Sequence, residues 1–367
     1  MLKLDTSLVE QVGFNPYYNI IPEGKYIDLA SNNYLGLAAH DSVKQSAIDA
    51  ILKYGASMCG TPVATGYIDL FQKLERRLSG FVGLPETIIF PSCYQANNGL
   101  FSAIAAPGDL IIVDRDAHSS LIQGIKAVGC KIVPFLHNDM DHLERILLRS
   151  KGYKQTFIVT ESVFSTEGSI APVAEIEKLC VKYNATAVVD DSHGIGVLGK
   201  RGGGVLAHFG IKDFTGIYTA SLGKAMANNG GMISGRHEII SYLRYYCPQL
   251  VYSTAITPAT LGGIDGALDV IDNDFPRLHS RMWEYKHMIN QAFPTIPKSE
   301  APINSIPTGV AYDTLLMSKK LFERGILSTP FIEPSVPKHQ GIVRLIAGAG
   351  LTQAQVKTAI NAIGECL

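Results

Sequence analysis

From residue 85 to residue 235 the chain alternates between short apolar runs and longer stretches with apolar residues at helical spacing. The runs Thr87–Phe90, Leu110–Val113, Lys131–Phe135, Thr156–Thr160, Thr186–Asp190, Gly216–Thr219 and Gly231–Ser234 predict strands. Several of these have no polar alternation, so both faces of the strand are expected to be covered. Separated by amphipathic stretches such as Pro172–Tyr183, where the proline suits a first helical position, they predict a mostly parallel sheet flanked by helices. Further on, Pro258–Asp274 and Thr314–Arg324 read as helices, and Gly309–Tyr312 and Gly341–Ile346 as strands of a smaller α+β region. The predicted division is an N-terminal arm over 1–28 leading into Tyr26–Ala30, a large domain over 29–238 and a small domain over 239–367. No Pro/Gly-rich linker marks the second boundary.

Composition removes several function classes. Of 367 residues, 46% are hydrophobic and only 18% charged, which fits a folded globular chain. Lys+Arg is 32 against 33 Asp+Glu, so the basic excess of a nucleic-acid binder is missing. The longest stretch without a charge, between Glu86 and Asp109, contains Pro91, Asn97, Asn98 and Pro107; no membrane span is expected. The N-terminal MLKLDTSLVEQVGF carries acids early and no apolar core, so no signal peptide is expected either. The six cysteines are scattered with no CxxC pair, which argues against a zinc ribbon or disulfide framework and for reduced thiols in a cytoplasm. No metal site is predicted.

In open α/β sheets ligands gather beyond the carboxyl ends of the strands, so the residues that follow each strand carry the chemistry. Four segments stand out. In Val188-Val189-Asp190-Asp191-Ser192-His193 an apolar strand ends in two acids. An Asp there can pair with a protonated ring nitrogen and a nearby imidazole with a ring oxygen, although helix caps also use Asp. In Ser221-Leu222-Gly223-Lys224-Ala225 a lone lysine sits among small and apolar residues. Partial burial would favour amine nucleophilicity, where an ordinary lysine would snorkel to solvent. Pro91-Ser92-Cys93-Tyr94-Gln95 turns a strand into a helix, whose N-terminus is a natural phosphate seat or simply a capped start. Asp114-Arg115-Asp116-Ala117-His118-Ser119-Ser120 offers His118, either to stack on a flat cofactor or to cap a helix. A phosphate seat, a ring-nitrogen acid and a Schiff-base lysine are together the parts that pyridoxal phosphate (PLP) chemistry needs.

The segments SNNYLGL (31–37), FPSCYQANNGLF (90–101), DRDAHSS (114–120), FLHND (135–139), VTESVFSTEGSIAP (159–172), VVDDSHGIGVLG (188–199), SLGKA (221–225), VYSTAITPA (251–259) and VRL (343–345) form a collinear set. With them the chain resembles the α-oxoamine synthase family of fold type I PLP enzymes over nearly its whole length. The resemblance implies a large domain with a seven-stranded sheet, a smaller C-terminal domain, and a homodimer with shared active sites. It implies condensation of an amino acid with an acyl-CoA or acyl-carrier thioester, with loss of carbon dioxide, to an α-aminoketone. By matched motif, Lys224 would hold PLP and move the Cα proton. Asp190 would pair with the ring nitrogen, His193 with the ring oxygen, and His118 would stack on the ring. Cys93, Tyr94 and Ser221 would bind the phosphate, Thr254 would reach the phosphate of the neighbouring subunit's cofactor, and Glu161 and Ser165 would line the site. Asn32 would contact substrate and Arg344 would hold its carboxylate. The chain departs from the family pattern at Met58 and Pro62, at Phe71, and at Gly348-Ala349-Gly350-Leu351. The first and last of these stand where a small-residue run and a histidine are usual, Phe71 where another histidine is. Substrate choice is expected to differ there.

Overall fold

In this computed structural model the described residues are 7–16, 18–21, 23–24 and 26–367. The predicted arm lies partly outside them; its described part contains a helix, Ser7–Val12. The chain forms two compact units. One comprises Leu37–Phe164 and Ile170–Pro276; the other comprises the chain up to Gly36, Ser165–Ser169 and Arg277–Leu367.

The larger unit holds a seven-stranded sheet in the order Glu86–Phe90, Gly231–Gly235, Ile217–Ser221, Thr186–Asp190, Thr156–Glu161, Leu110–Asp114, Lys131–Phe135. Only Gly231–Gly235 runs antiparallel to its neighbours. The remaining contacts are parallel, as predicted from the unbroken apolar runs. Leu110–Asp114 is buried at every position, which a strand covered on both faces requires. The core on one face joins Ile88, Phe90, Ile111, Val159 and Val188 to Leu100 and Phe101 of the helix Cys93–Ile104. It also takes in Ile240, Leu243, Cys247 and Leu250. That packing explains why residues 239–276 group with the sheet and not, as the sequence division had it, with the C-terminal region. The helix predicted over Pro258–Asp274 runs on to Ala292 through Pro276, where the units divide.

The smaller unit contains a three-stranded antiparallel sheet, Thr329–Phe331, Gly341–Leu345 and Asn304–Gly309, with Gly341–Leu345 central. Ile27–Asp28 pairs in parallel with Ile326–Leu327. Leu29, Tyr285, Ile306, Leu321, Val343, Leu345 and Val356 form its core. The strand predicted over Gly309–Tyr312 is instead Asn304–Gly309. It ends where Gly309 takes a φ of +79°, and Val310 then caps the helix Ala311–Glu323. No described helix is long and apolar enough to cross a membrane.

Candidate active site

Parallel register aligns the polar strand ends. Glu161 pairs with Asp190, so two adjacent strands end level, and Asp190 pairs with Thr219, two residues before the third strand ends at Ser221. The two acids that close Thr186–Asp190 have separate duties. Asp190 is buried and accepts from Asn97 Nδ2 at 2.7 Å and from the Ser192 backbone N–H at 3.0 Å. Asp191 is also buried; it accepts from the Tyr218 hydroxyl at 2.7 Å and from the Val205 N–H at 2.9 Å. Burial raises the Asp191 carboxyl from 3.8 to about 7. Asp191 is therefore a packing acid, while Asp190 belongs to the cluster around Cys93 and His118.

His118 does two things at once. Its Nδ1 lies 2.8 Å from Ser120 Oγ and accepts from the Ser120 N–H at 3.2 Å, capping the helix Ser119–Lys126. The expected stacking histidine is thus also the capping histidine. Burial lowers its pKa, and the Lys224 charge nearby lowers it further while Asp190 opposes. Burial thus favours the neutral form of the ring. Lys224 is half-buried between Leu222 and Ala225, both fully buried. Its charge also acts on Cys93, as do those of Asp190 and Glu161, which places all of them in one locality. His193 is buried in the turn after Asp190.

The presumptive phosphate turn is built by close approach. Ser92 caps the helix Cys93–Ile104 by accepting from the Gln95 N–H at 3.2 Å. A Cβ on Gly231 would lie 2.3 Å from the Cys93 backbone, so only glycine lets that strand meet the helix start. Ser192 Oγ joins the turns, accepting from the Ser221 N–H at 2.9 Å and lying 3.4 Å from Cys93 Sγ. Burial keeps the Cys93 thiol protonated. A buried acid, a histidine whose neutral form is favoured, a half-buried lysine and a helix N-terminus with a glycine cradle together fit PLP. Tyr94 and Thr254 are exposed, and the larger unit does not bury them.

Asn32, Ser165 and Arg344 belong to the smaller unit. Arg344 is buried on the central strand. One guanidinium N–H donates to the Ser165 carbonyl at 3.0 Å, and the group lies 4.9 Å from the Phe331 ring centre. Its Nε has no partner and no carboxylate pairs with it among the described residues. The acids nearest in sequence are engaged elsewhere: Glu365 with Arg324 at 3.0 Å and Glu333 with the His339 N–H at 3.3 Å. Among the described residues no salt bridge accounts for the Arg344 guanidinium. The buried Oδ1 of Asn32 likewise has no partner.

Three residues at the site escaped the sequence reading as site residues: Asn97, Ser120 and Ser192. Each lay inside a quoted segment, but nothing local distinguished them from helix-start polar residues. The FLHND segment proves structural. Asp114 accepts from His137 Nδ1 at 3.1 Å and from the Asn138 N–H at 3.1 Å, which ties the two strand ends together.

Comparison with known proteins agrees with this arrangement. Residues 24–363 match the model of the aminotransferase class I and II family. An 8-amino-7-oxononanoate synthase of Alkaliphilus metalliredigens is 36% identical, covering 92% of this chain and 86% of that one. A serine palmitoyltransferase of Bacteriovorax stolpii is 32% identical over 93% and 82%. The solved serine palmitoyltransferase of Sphingomonas wittichii superposes with a TM-score of 0.92 at 23% identity, covering 98% and 94%, and so shares the fold. The chain therefore belongs to the class I and II aminotransferase family, among its PLP-dependent α-oxoamine synthases.

Proposed function

We propose that this enzyme joins L-alanine to a pimeloyl thioester, releasing the thiol and carbon dioxide, and so acts as an 8-amino-7-oxononanoate synthase in biotin synthesis. Its similarity to such synthases supports the choice within the family. The structural observation that carries the amino-acid half is Arg344, a buried cation with no carboxylate partner among the described residues and with one N–H already fixed by Ser165. A buried unpaired charge costs several kcal/mol, on the order of what an incoming substrate carboxylate offsets.

When bound, PLP supplies the electron sink for the pair left at Cα once the amino acid loses its proton. The chain's residues do the rest. Lys224 would anchor the cofactor and, as the free amine, take the Cα proton. Asp190, held by Asn97 and the Ser192 N–H, would pair with the ring nitrogen. His193 would pair with the ring oxygen, and His118, whose neutral form burial favours, would stack on the ring. Cys93, Tyr94 and Ser221 would hold the phosphate, Glu161 and Ser165 would line the site, and Asn32 would contact substrate. Thr254 and Tyr94 are exposed in the protomer, which supports a homodimer in which Thr254 reaches the partner's phosphate. Six free thiols support a cytoplasmic enzyme.

A second reading uses a longer acyl-CoA, as an aminoketone autoinducer synthase would. Met58 and Pro62, both half-buried at and just before the short helix Pro62–Gly66, favour it, as do Leu351 and the similarity to a serine palmitoyltransferase. Thiol release from pimeloyl-CoA and long-chain acyl-CoAs with L-alanine and other small amino acids decides. A pimeloyl and alanine preference supports the first reading, and a long-chain preference the second. If PLP binds but neither CoA nor carrier thioesters release thiol, both readings are wrong.

A further inference from the structure

The helix Cys93–Ile104 brings Asn97 to a place that none of the expected cofactor residues occupies. Asn97 is fully buried, and its amide nitrogen spends both hydrogens inside the site. One goes to Asp190 Oδ2 at 2.7 Å, the other to Ser120 Oγ at 2.9 Å. Ser120 is itself buried and lies 2.8 Å from His118 Nδ1. The direction of each bond follows from the donors available. An amide NH₂ can only donate, so Ser120 Oγ is an acceptor toward Asn97. Its own hydrogen is then free for His118 Nδ1, which also receives the Ser120 backbone N–H. Nδ1 must therefore be bare, and the ring hydrogen resides on Nε2. The opposite amide orientation would set the carbonyl Oδ1 against the Asp190 carboxylate.

We infer that Asn97 and Ser120 are positioning residues that couple the two groups flanking the cofactor ring. Asn97 holds the Asp190 carboxyl in place, and Ser120 fixes the tautomer and plane of His118. The inference rests on the PLP reading of the site and adds residues that this reading did not assign. The charged and titratable groups acting on the relay are Asp190 and Lys224 on His118, with Cys93 and Glu161 beside them. The relay needs the two helices to touch. Gly124 permits this, since a Cβ there would lie 2.8 Å from the Asn97 carbonyl oxygen.

The test uses the full-length protein loaded with PLP. Asn97→Leu keeps the volume and removes both donors; Ser120→Ala removes the hydroxyl only, and Ser120→Thr restores one. PLP affinity is measured by titrating the apo-protein, and the visible absorption of the bound cofactor is followed against pH. Asn97→Leu is expected to weaken PLP binding by about tenfold or more, the scale of a hydrogen bond to a charged group. Ser120→Ala is expected to shift the pH dependence of the visible band, and Ser120→Thr to bring it back. Wild-type affinity and an unmoved pH profile in Ser120→Ala would overturn the inference, and that variant decides even where Asn97→Leu does not fold. If the wild-type protein itself binds no PLP, it is the underlying reading that fails, which the same titration reveals.

Discussion

Asp191 and Arg344 are both buried ionisable residues, but Asp191 accepts two hydrogen bonds while Arg344 has no carboxylate partner among the described residues. Asp191 is surrounded by donors, yet burial still moves its carboxyl from 3.8 to about 7. Between those values the native state keeps a proton that the unfolded chain has released. Stability from this group is therefore greatest at low pH and is lost as pH rises toward and through 7. Asp191→Asn abolishes the charge. Its melting temperature should gain on that of the wild type between about pH 5 and pH 8. A difference between the two proteins that stays constant with pH would show that Asp191 is ionised throughout. For Arg344, which has no carboxylate partner among the described residues, the expectation is reversed between stability and function. Arg344→Met should leave the melting temperature unchanged or raised, because an uncompensated buried charge is removed. The same variant should raise the KM for the amino acid by about 10–100-fold, the scale of a lost charged hydrogen-bond pair. A large stability loss would mean that Arg344 serves the fold instead.

At the scale of elements, contact between the helices Cys93–Ile104 and Ser119–Lys126 positions the site. Gly124 meets the Asn97 carbonyl and the Asn98 Cα at 2.8 and 2.9 Å from where a Cβ would stand. Backbone cannot retreat as a flexible side chain can. Gly124→Ala should cost about 1–3 kcal/mol, read as a lowered denaturation midpoint, and should also weaken PLP binding by separating Asn97 from Ser120. Stability lost with cofactor affinity intact would show that the relay tolerates the displacement. The elements themselves were unequally legible. Runs such as Leu110–Val113 are apolar because both faces are covered, and their pattern shows it. Asn304–Gly309 carries Asn, Ser, Pro and Thr on an outer strand of its sheet, so its pattern could not separate it from a loop.

At the scale of the whole molecule, a face rich in tyrosine remains uncovered. Tyr245 and Tyr252 are 77% and 84% exposed, and the rings of Tyr242 and Tyr246 lie 4.6 Å apart beside Tyr245. Exposed aromatic clusters mark association surfaces, and Thr254 follows directly in the chain. If the proposed homodimer forms through these tyrosines, replacing Tyr245 and Tyr252 together by Asp should yield monomers in sedimentation, and PLP should bind more weakly because Thr254 would no longer reach the partner's phosphate. A double variant that stays dimeric would move the interface elsewhere.

Sequence by itself determined the elements of the sheet and singled out Lys224, Asp190, His193 and His118 as candidates. These stand directly after apolar runs, and a parallel sheet brings such positions to one edge. Local pattern alone did not separate Asp190 from Asp191, since adjacent residues at a strand end look alike; matched motif chose Asp190, and the tertiary structure shows the different partners of the two. Nor could sequence show that Arg344 has no carboxylate partner among the described residues, because absence of a partner is a property of every surrounding element. The Asn97–Ser120–His118 arrangement spans 23 residues between Asn97 and Ser120 and 93 between Asn97 and Asp190. Only the packing of two helices against the sheet turns those separations into hydrogen bonds.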